Sequence, residues 1–192
     1  FIKAAPVSRA LREHCTEFLV HTGQHYDTNM SQLFFDELGI PAPDVNLEIG
    51  SGPHGQQTGH MLTAVEKVLQ REKPDLVMVY GDTNSTLAGA IAAAKMNIPI
   101  AHVEAGLRSF NSLMPEEINR VLTDRISNLL FCPTARAVKH LAAEGITEGV
   151  HLAGDVMYDA ALHFAEQARV KSRILQALKL AARSFVLATV HR

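Results

Sequence analysis

Short apolar runs alternate with helical stretches along this chain, and that alternation most limits what it can fold into. Strands read at 17–21, 75–80, 98–103, 129–132, 150–153 and 184–190. Helices read at 1–13, 29–38, 56–71, 84–96, 115–127, 134–144 and 156–182, the last open to division in two where 166–173 turns more polar. LVMVY (76–80) and IPIAHV (98–103) are apolar without alternation, the pattern of strands buried on both faces. Strands joined by helices imply βαβ units, right-handed crossovers and a parallel sheet. LAGAIAAAK (87–95) is a helix of small residues that can lie close on a sheet, and Pro115 suits a first helical position. Residues 41–54, with three prolines and two glycines, read as loop.

Composition narrows the function classes. The 192 residues are 47% hydrophobic and 20% charged, with a formal charge of −2. That balance carries no basic field for nucleic acid or an anionic membrane. Neither a signal peptide nor an apolar stretch of about 18 residues is present. Cys15 and Cys132 read as buried free thiols in a reducing compartment, so a cytoplasmic location is expected. The chain opens on FIKAAP and stops at ATVHR, which reads as a piece of a longer protein lacking a first strand and a second half. Residues 1–168 are expected to form one domain, and 169–192 the linker and first strand of another.

Ligands in open α/β sheets bind beyond the carboxyl ends of the strands. Asp82 follows LVMVY and Gly81, Glu104 follows IPIAHV, and Glu116 and Glu117 come soon after in MPEEINR (114–120). These acids are expected to share one cleft. Clustered carboxylates suit acid/base chemistry, since mutual repulsion and burial separate their proton affinities.

Each residue also has a plainer reading. An acid or threonine at 82–83 caps a helix. Arg108 is a ready ion-pair partner for Glu104, and His102 within a strand reads as a satisfied core residue. Glu116 and Glu117 suit a first helical turn, worth about 0.3–1 kcal/mol each, and Glu116 with Arg120 makes an i,i+4 pair. Asn119 and Arg120 add further polar groups over the same helix end. TGQHYD (22–27) and HGQQTGH (54–60) place polar groups at a strand end and a helix start. No dinucleotide glycine motif, Walker lysine, nucleophile elbow or Cys/His metal pattern appears.

GQHYD, GDTNSTLAG, HVEAGLRS, MPEEINR, GDVMYDA and ATVHR, in this order, resemble the non-hydrolysing UDP-N-acetylglucosamine 2-epimerases of bacteria along the whole chain. The resemblance implies a Rossmann-like parallel sheet with helices on both faces, the amino-terminal half of a glycosyltransferase-B type two-domain enzyme. It implies interconversion of UDP-N-acetylglucosamine and UDP-N-acetylmannosamine by elimination and re-addition of UDP through 2-acetamidoglucal. It implies no metal and no nicotinamide cofactor, a UDP-sugar as the small-molecule partner, and a homodimer at full length. Carried over by motif, Lys3, Asp82, Glu104, Glu116 and His191 correspond to the catalytic set, and Arg120, Glu117 and Arg108 to substrate-binding groups. Glu104 and Glu116 would move protons, Asp82 would place the sugar or tune those two acids, and Lys3 and His191 would face the diphosphate.

Many members also carry an allosteric substrate site. Here its positions read Gln24, His25 and Gln56, Gln57, with Tyr26 and Gln56 standing where arginines are usual. A UDP-sugar-dependent glycosyltransferase of the same fold, a silent nucleotide-sugar sensor, and a 2-epimerase of a UDP-diacetamido sugar are the alternatives.

Overall fold

In a computed structural model the protein is described over residues 1–24 and 39–190. Helix α1 (Ala4–Leu11) leads to strand β1 (Val20–His21), which pairs in parallel with β2 (Val45–Asn46). Helix α2 (His54–Glu72) follows, then β3 (Val77–Tyr80), α3 (Asn84–Lys95), β4 (Ile100–Val103), α4 (Pro115–Ile126), β5 (Leu129–Cys132), α5 (Ala135–Ala143) and β6 (Val150–Leu152). Helices α6 (Val156–Lys171) and α7 (Ile174–Ala177) complete the order. Strands β3, β4, β5 and β6 form one all-parallel sheet in that sequence order. This is a Rossmann-like α/β architecture: a parallel sheet flanked by helices.

The core explains the small residues of α3. Ala90, Ala92 and Ala93 pack with Val79 and Ile100 of the sheet and with Val65 and Leu69 of α2. A helix wedged between a sheet and another helix has no room for longer side chains. A second cluster joins Ala105, Leu130 and Cys132 to Ala137 and Leu141 of α5. Cys132 is buried, and burial with Asp124 nearby pushes its thiol up to about 11. Cys15, expected to be buried, is exposed.

Two expectations are corrected, and a third run stands without a partner strand among the described residues. Within the stretch read as loop, β2 forms because β1 supplies its ladder; two residues are too few to show a period. Of 17–21 only Val20 and His21 are strand, and Glu17 instead accepts from Ser8 Oγ and Arg12 Nε, both at 2.6 Å. Residues 184–190 pair with no strand among the described residues, and Val186 and Leu187 stand open to solvent. A strand exists only where a neighbour accepts its hydrogen bonds. The helix read at 29–38 lies outside the described residues. The stretch 156–182 does divide, at Ser172, and α6 packs back on α1 through Phe164, with Arg9 Nη1 3.0 Å from His163 Nε2. No helix among the described residues is long and apolar enough to cross a membrane.

Ala90 is wholly buried. Ala90→Leu is expected to cost about 1–3 kcal/mol by overpacking, measured as a lower urea midpoint with an unchanged slope.

Candidate active site

Strands β3 and β4 end level. Tyr80 lies opposite Val103, and the Gly81 N–H donates to the Val103 carbonyl at 3.0 Å. Asp82 and Glu104 therefore leave the same edge of the sheet from adjacent strands. Gly81 turns with φ +66°, and a Cβ there would stand 3.1 Å from Lys3 Nζ. The missing side chain makes room for the ammonium group, which forms an ion pair with Glu104 Oε2. Among the described residues that buried oxygen has no hydrogen-bond partner, and Lys3 meets it as an ion pair.

Glu104 itself adopts φ +75°, the left-handed region that side chains disfavour. Such a conformation costs about 1–3 kcal/mol. An ion pair whose side chains are 28% and 18% exposed returns about 0–1 kcal/mol. The pair does not offset the strain, so the surroundings hold the residue there. Glu104 and Ala105 both donate their N–H groups to the Phe131 carbonyl, at 3.0 and 3.1 Å. Gly106 follows with φ +77°, and a Cβ on it would lie 2.5 Å from the Ala137 carbonyl of α5. The turn is clamped between β5 and α5.

Helix α4 closes the edge with its polar side inward. Its buried residues are Glu117, Asn119, Thr123 and Asp124, whereas Ile118, Val121 and Leu122 are 49%, 37% and 45% exposed. Asn119 Nδ2 donates to the Asp82 carbonyl at 2.9 Å. Arg120 meets the Asp82 carboxylate through Nη2 and Glu117 Oε2 through Nη1, the latter at 2.5 Å. Glu117 also accepts the N–H groups of Ser109 and Phe110 at 3.0 and 2.9 Å. Burial pushes the Glu117 carboxyl up, but those backbone donors, the Ser109 hydroxyl and Arg120 outweigh it and hold it below the ordinary range. Glu117 braces the loop ahead of α4. The cap of α3 is Thr83, which accepts from the Thr86 N–H at 3.4 Å, leaving the Asp82 carboxylate for Arg120.

Glu116 is exposed on the first turn of α4. Among the described residues it makes no ion pair; Arg120 turns to Asp82 and Glu117 instead of the i,i+4 partner. It lies on the same helix face as Asn119 and Arg120, one turn nearer the amino end. Asp82, Arg120 and Glu117 form one cluster and Lys3 with Glu104 another, on adjoining strand ends.

Arg108 is elsewhere. The expected Glu104–Arg108 pair does not form, because the turn at 104–106 carries Arg108 to α4 and the end of α5. There its guanidinium bonds Asp124 at 2.7 Å and Glu144 twice at 2.7 Å, with its side chain 2% exposed. In this structure its guanidinium is taken up by those two carboxylates.

Gln24 Oε1 accepts from the Ser85 N–H and hydroxyl at 3.3 and 2.7 Å, which seats that loop on the start of α3. Gln57 is buried; it donates to the Gly50 carbonyl at 2.6 Å and accepts from Asn84 at 2.8 Å. Asn84 in turn accepts from Asn119 at 3.2 Å. Gln56 is exposed at the start of α2. His25 and His191 lie outside the described residues.

Sequence reasoning passed over Asp124. Its signal was present: Glu117, Arg120 and Asp124 recur at helical spacing, opposite the apolar residues of α4. The usual rule places the apolar side inward, and here it is the polar side. His102, read as a satisfied core residue, is fully buried with both ring nitrogens bonded at 2.7 Å.

The family profile described as UDP-N-acetylglucosamine 2-epimerase matches residues 9–192. A UDP-N-acetylglucosamine 2-epimerase homolog of Methanococcus maripaludis is 59% identical over all of this chain and 54% of its own length. UDP-2,3-diacetamido-2,3-dideoxy-D-glucuronate 2-epimerase of Pseudomonas aeruginosa is 55% identical over all of this chain and 54% of its own. The crystal structure of Methanocaldococcus jannaschii UDP-GlcNAc 2-epimerase in complex with UDP-GlcNAc and UDP superposes with TM-score 0.88 at 52% identity, covering 92% of this chain and 49% of that one. The Neisseria meningitidis UDP-GlcNAc 2-epimerase bound to UDP-GlcNAc gives TM-score 0.86 at 33% identity, over 93% of this chain and 50% of that one. The chain thus spans about half the length of the relatives it matches.

Glu117→Gln is expected to lower folding stability by about 1–3 kcal/mol at neutral pH. The folded carboxyl protonates below its ordinary value of 4.5, so its contribution is whole above that value and is lost as pH falls through the lower folded one. Urea titrations of both proteins at neutral pH and at about pH 3 check this; a difference that stays constant between them would contradict the assigned bonds.

Proposed function

Because this chain belongs to the UDP-N-acetylglucosamine 2-epimerase family, we propose that the full-length protein interconverts UDP-N-acetylglucosamine and UDP-N-acetylmannosamine. The observation that carries this reading is the inverted helix α4. It lays its polar side over a sheet edge where Asp82 and Glu104, each beside a cation, emerge from neighbouring strands.

The C2 proton of the sugar lies beside no carbonyl, so direct removal is very hard. In the proposed route a base takes that proton as the bond from C1 to the diphosphate oxygen breaks. UDP and 2-acetamidoglucal result. UDP then re-forms the C1–O bond, and an acid returns a proton to C2 on the opposite face. Glu104 and Glu116 are the proposed proton carriers, each transfer worth about 10²–10⁴ in rate. Asp82, anchored by Arg120, places the sugar. Lys3, paired with Glu104 in this structure, is the proposed cation for the departing diphosphate, with His191 as its proposed companion; cationic donors there stabilise developing charge.

Residues 1–168 would then be the amino-terminal domain of a glycosyltransferase-B type enzyme, and 169–192 the passage into the second, whose sheet would give 184–190 its ladder. The free thiols of Cys15 and Cys132 agree with a reducing, cytoplasmic setting, and the product would feed surface-polysaccharide synthesis. The outward apolar side of α4 (Ile118, Val121, Leu122), with Met114 just before it, suits a homodimer. Light scattering of the full-length protein is expected to give a dimer mass that Ile118→Asp lowers; a monomer mass for the parent would refute this. The 55% identity to the Pseudomonas aeruginosa enzyme favours one second reading, a 2-epimerase of a UDP-diacetamido sugar acid, separated from the first by kcat/KM on the two substrates.

The test is incubation of the full-length protein with UDP-N-acetylglucosamine in D2O, followed at C2 by NMR. Deuterium at C2 with a manno product is expected. Transfer only when an acceptor is added would show a glycosyltransferase, and binding without exchange a sensor. Glu104→Gln and Glu116→Gln are each expected to cut turnover about a hundredfold or more. Glu104→Gly is expected to lose turnover while holding stability, because it removes the left-handed strain; near-normal rates in these variants would remove the role assignments.

A further inference from the structure

We propose that His102 and Asp124 are positioning residues for the reaction: one buried pair that ties the turn carrying Asp82 to the turn carrying Glu104. The role rests on the epimerase reading; the geometry does not. His102 Nε2 lies 2.7 Å from the Gly81 carbonyl, and Nδ1 lies 2.7 Å from Asp124 Oδ1. A carbonyl has no hydrogen to give, so Nε2 donates to Gly81. One further proton is shared between Nδ1 and Oδ1, which leaves the pair neutral as a unit. Asp124 Oδ2 accepts the Gly106 N–H at 3.0 Å and Arg108 Nη1 at 2.7 Å.

The two ends of this chain of bonds are the two turns of the site. Gly81 immediately precedes Asp82, and Gly106 closes the turn that begins at Glu104. All three of Gly81, Glu104 and Gly106 hold positive φ, so neither turn rests on repeating secondary structure. His102 is on β4 and Asp124 on α4, so the tie also fixes α4, with Glu116 and Arg120, against the strand ends. Both side chains are 0% exposed, so neither reaches a sugar. Stability alone is a weak reason for such a pair, since apolar residues of similar volume often replace buried ion pairs without loss. Alignment is a strong reason, because displacement of a catalytic group by about 1 Å costs about a hundredfold in rate.

The experiment uses the full-length protein and three variants. His102→Phe keeps the volume and removes both donors. It is expected to lose about a hundredfold in kcat with KM for the UDP-sugar little changed. Asp124→Ala, which cuts the Gly106 arm, is expected to fall comparably. Asp124→Asn is the rescue: its amide gives an N–H to Nδ1, which keeps the proton on Nε2, and its carbonyl still accepts from Gly106 and Arg108. It is expected to stay within about fivefold of the parent. Loss in Asp124→Asn as deep as in His102→Phe would mean that the pair moves protons, and would overturn the proposal. So would a folded His102→Phe with parental kcat.

Amide hydrogen exchange supplies the readout that does not depend on activity. In His102→Phe, or in Asp124→Ala if the first fails to fold by circular dichroism, exchange at 81–83 and 104–107 is expected to quicken while α2 and β5 hold. Unchanged exchange at both turns would overturn the tie even if the parent enzyme proved not to be an epimerase, and a parent without C2 exchange would refute the function while leaving the tie intact.

Discussion

A single buried carboxylate, that of Asp124, joins the elements on which the candidate site depends. It accepts from a strand residue, from a turn and from Arg108, which in turn grips Glu144 beyond α5. Remove it and β4, α4 and the Glu104 turn lose their common partner. Burying one partner of such a set alone would leave charge or donors unpaired, at a cost of several kcal/mol. The set is therefore all or nothing, and this fixes the inverted orientation of α4.

From that inversion the layout follows. With its polar side inward, α4 delivers Asn119 to the Asp82 carbonyl and Arg120 to the Asp82 carboxylate. Its apolar residues are left facing outward, where monomeric proteins seldom keep a continuous stripe. One helix thus serves two surfaces. The inner one holds the acids at the strand ends, and the outer one is suited to contact with another protein surface.

Much of the framework was legible in the sequence, and the reasons are local. LVMVY and IPIAHV have the composition of strands buried on both faces, and the alanine-rich stretch between them has room only for close packing. Parallel order follows from connection length. The strand ends then bring Asp82 and Glu104 to one side of the sheet on the strength of the sequence alone. What escaped was pairing. Arg108 is four residues from Glu104 and seemed its partner, yet the left-handed turn sends it to Asp124 and Glu144. Lys3 is 101 positions away from Glu104 and holds it instead. Two residues carry no period, so β2 is indistinguishable from loop in sequence, and an apolar run such as 184–190 looks alike with or without a neighbouring strand.

Local pattern alone carries the alternation of helix and strand, the parallel sheet and the acids at two strand ends, because hydrophobic period and turn residues act over a few neighbours. Which side of α4 is buried, which cation meets which acid, and the left-handed backbone of Glu104 emerge only in the folded arrangement. Those outcomes depend on bonds between residues far apart in the chain, whose energies exist only once the sheet has brought them together.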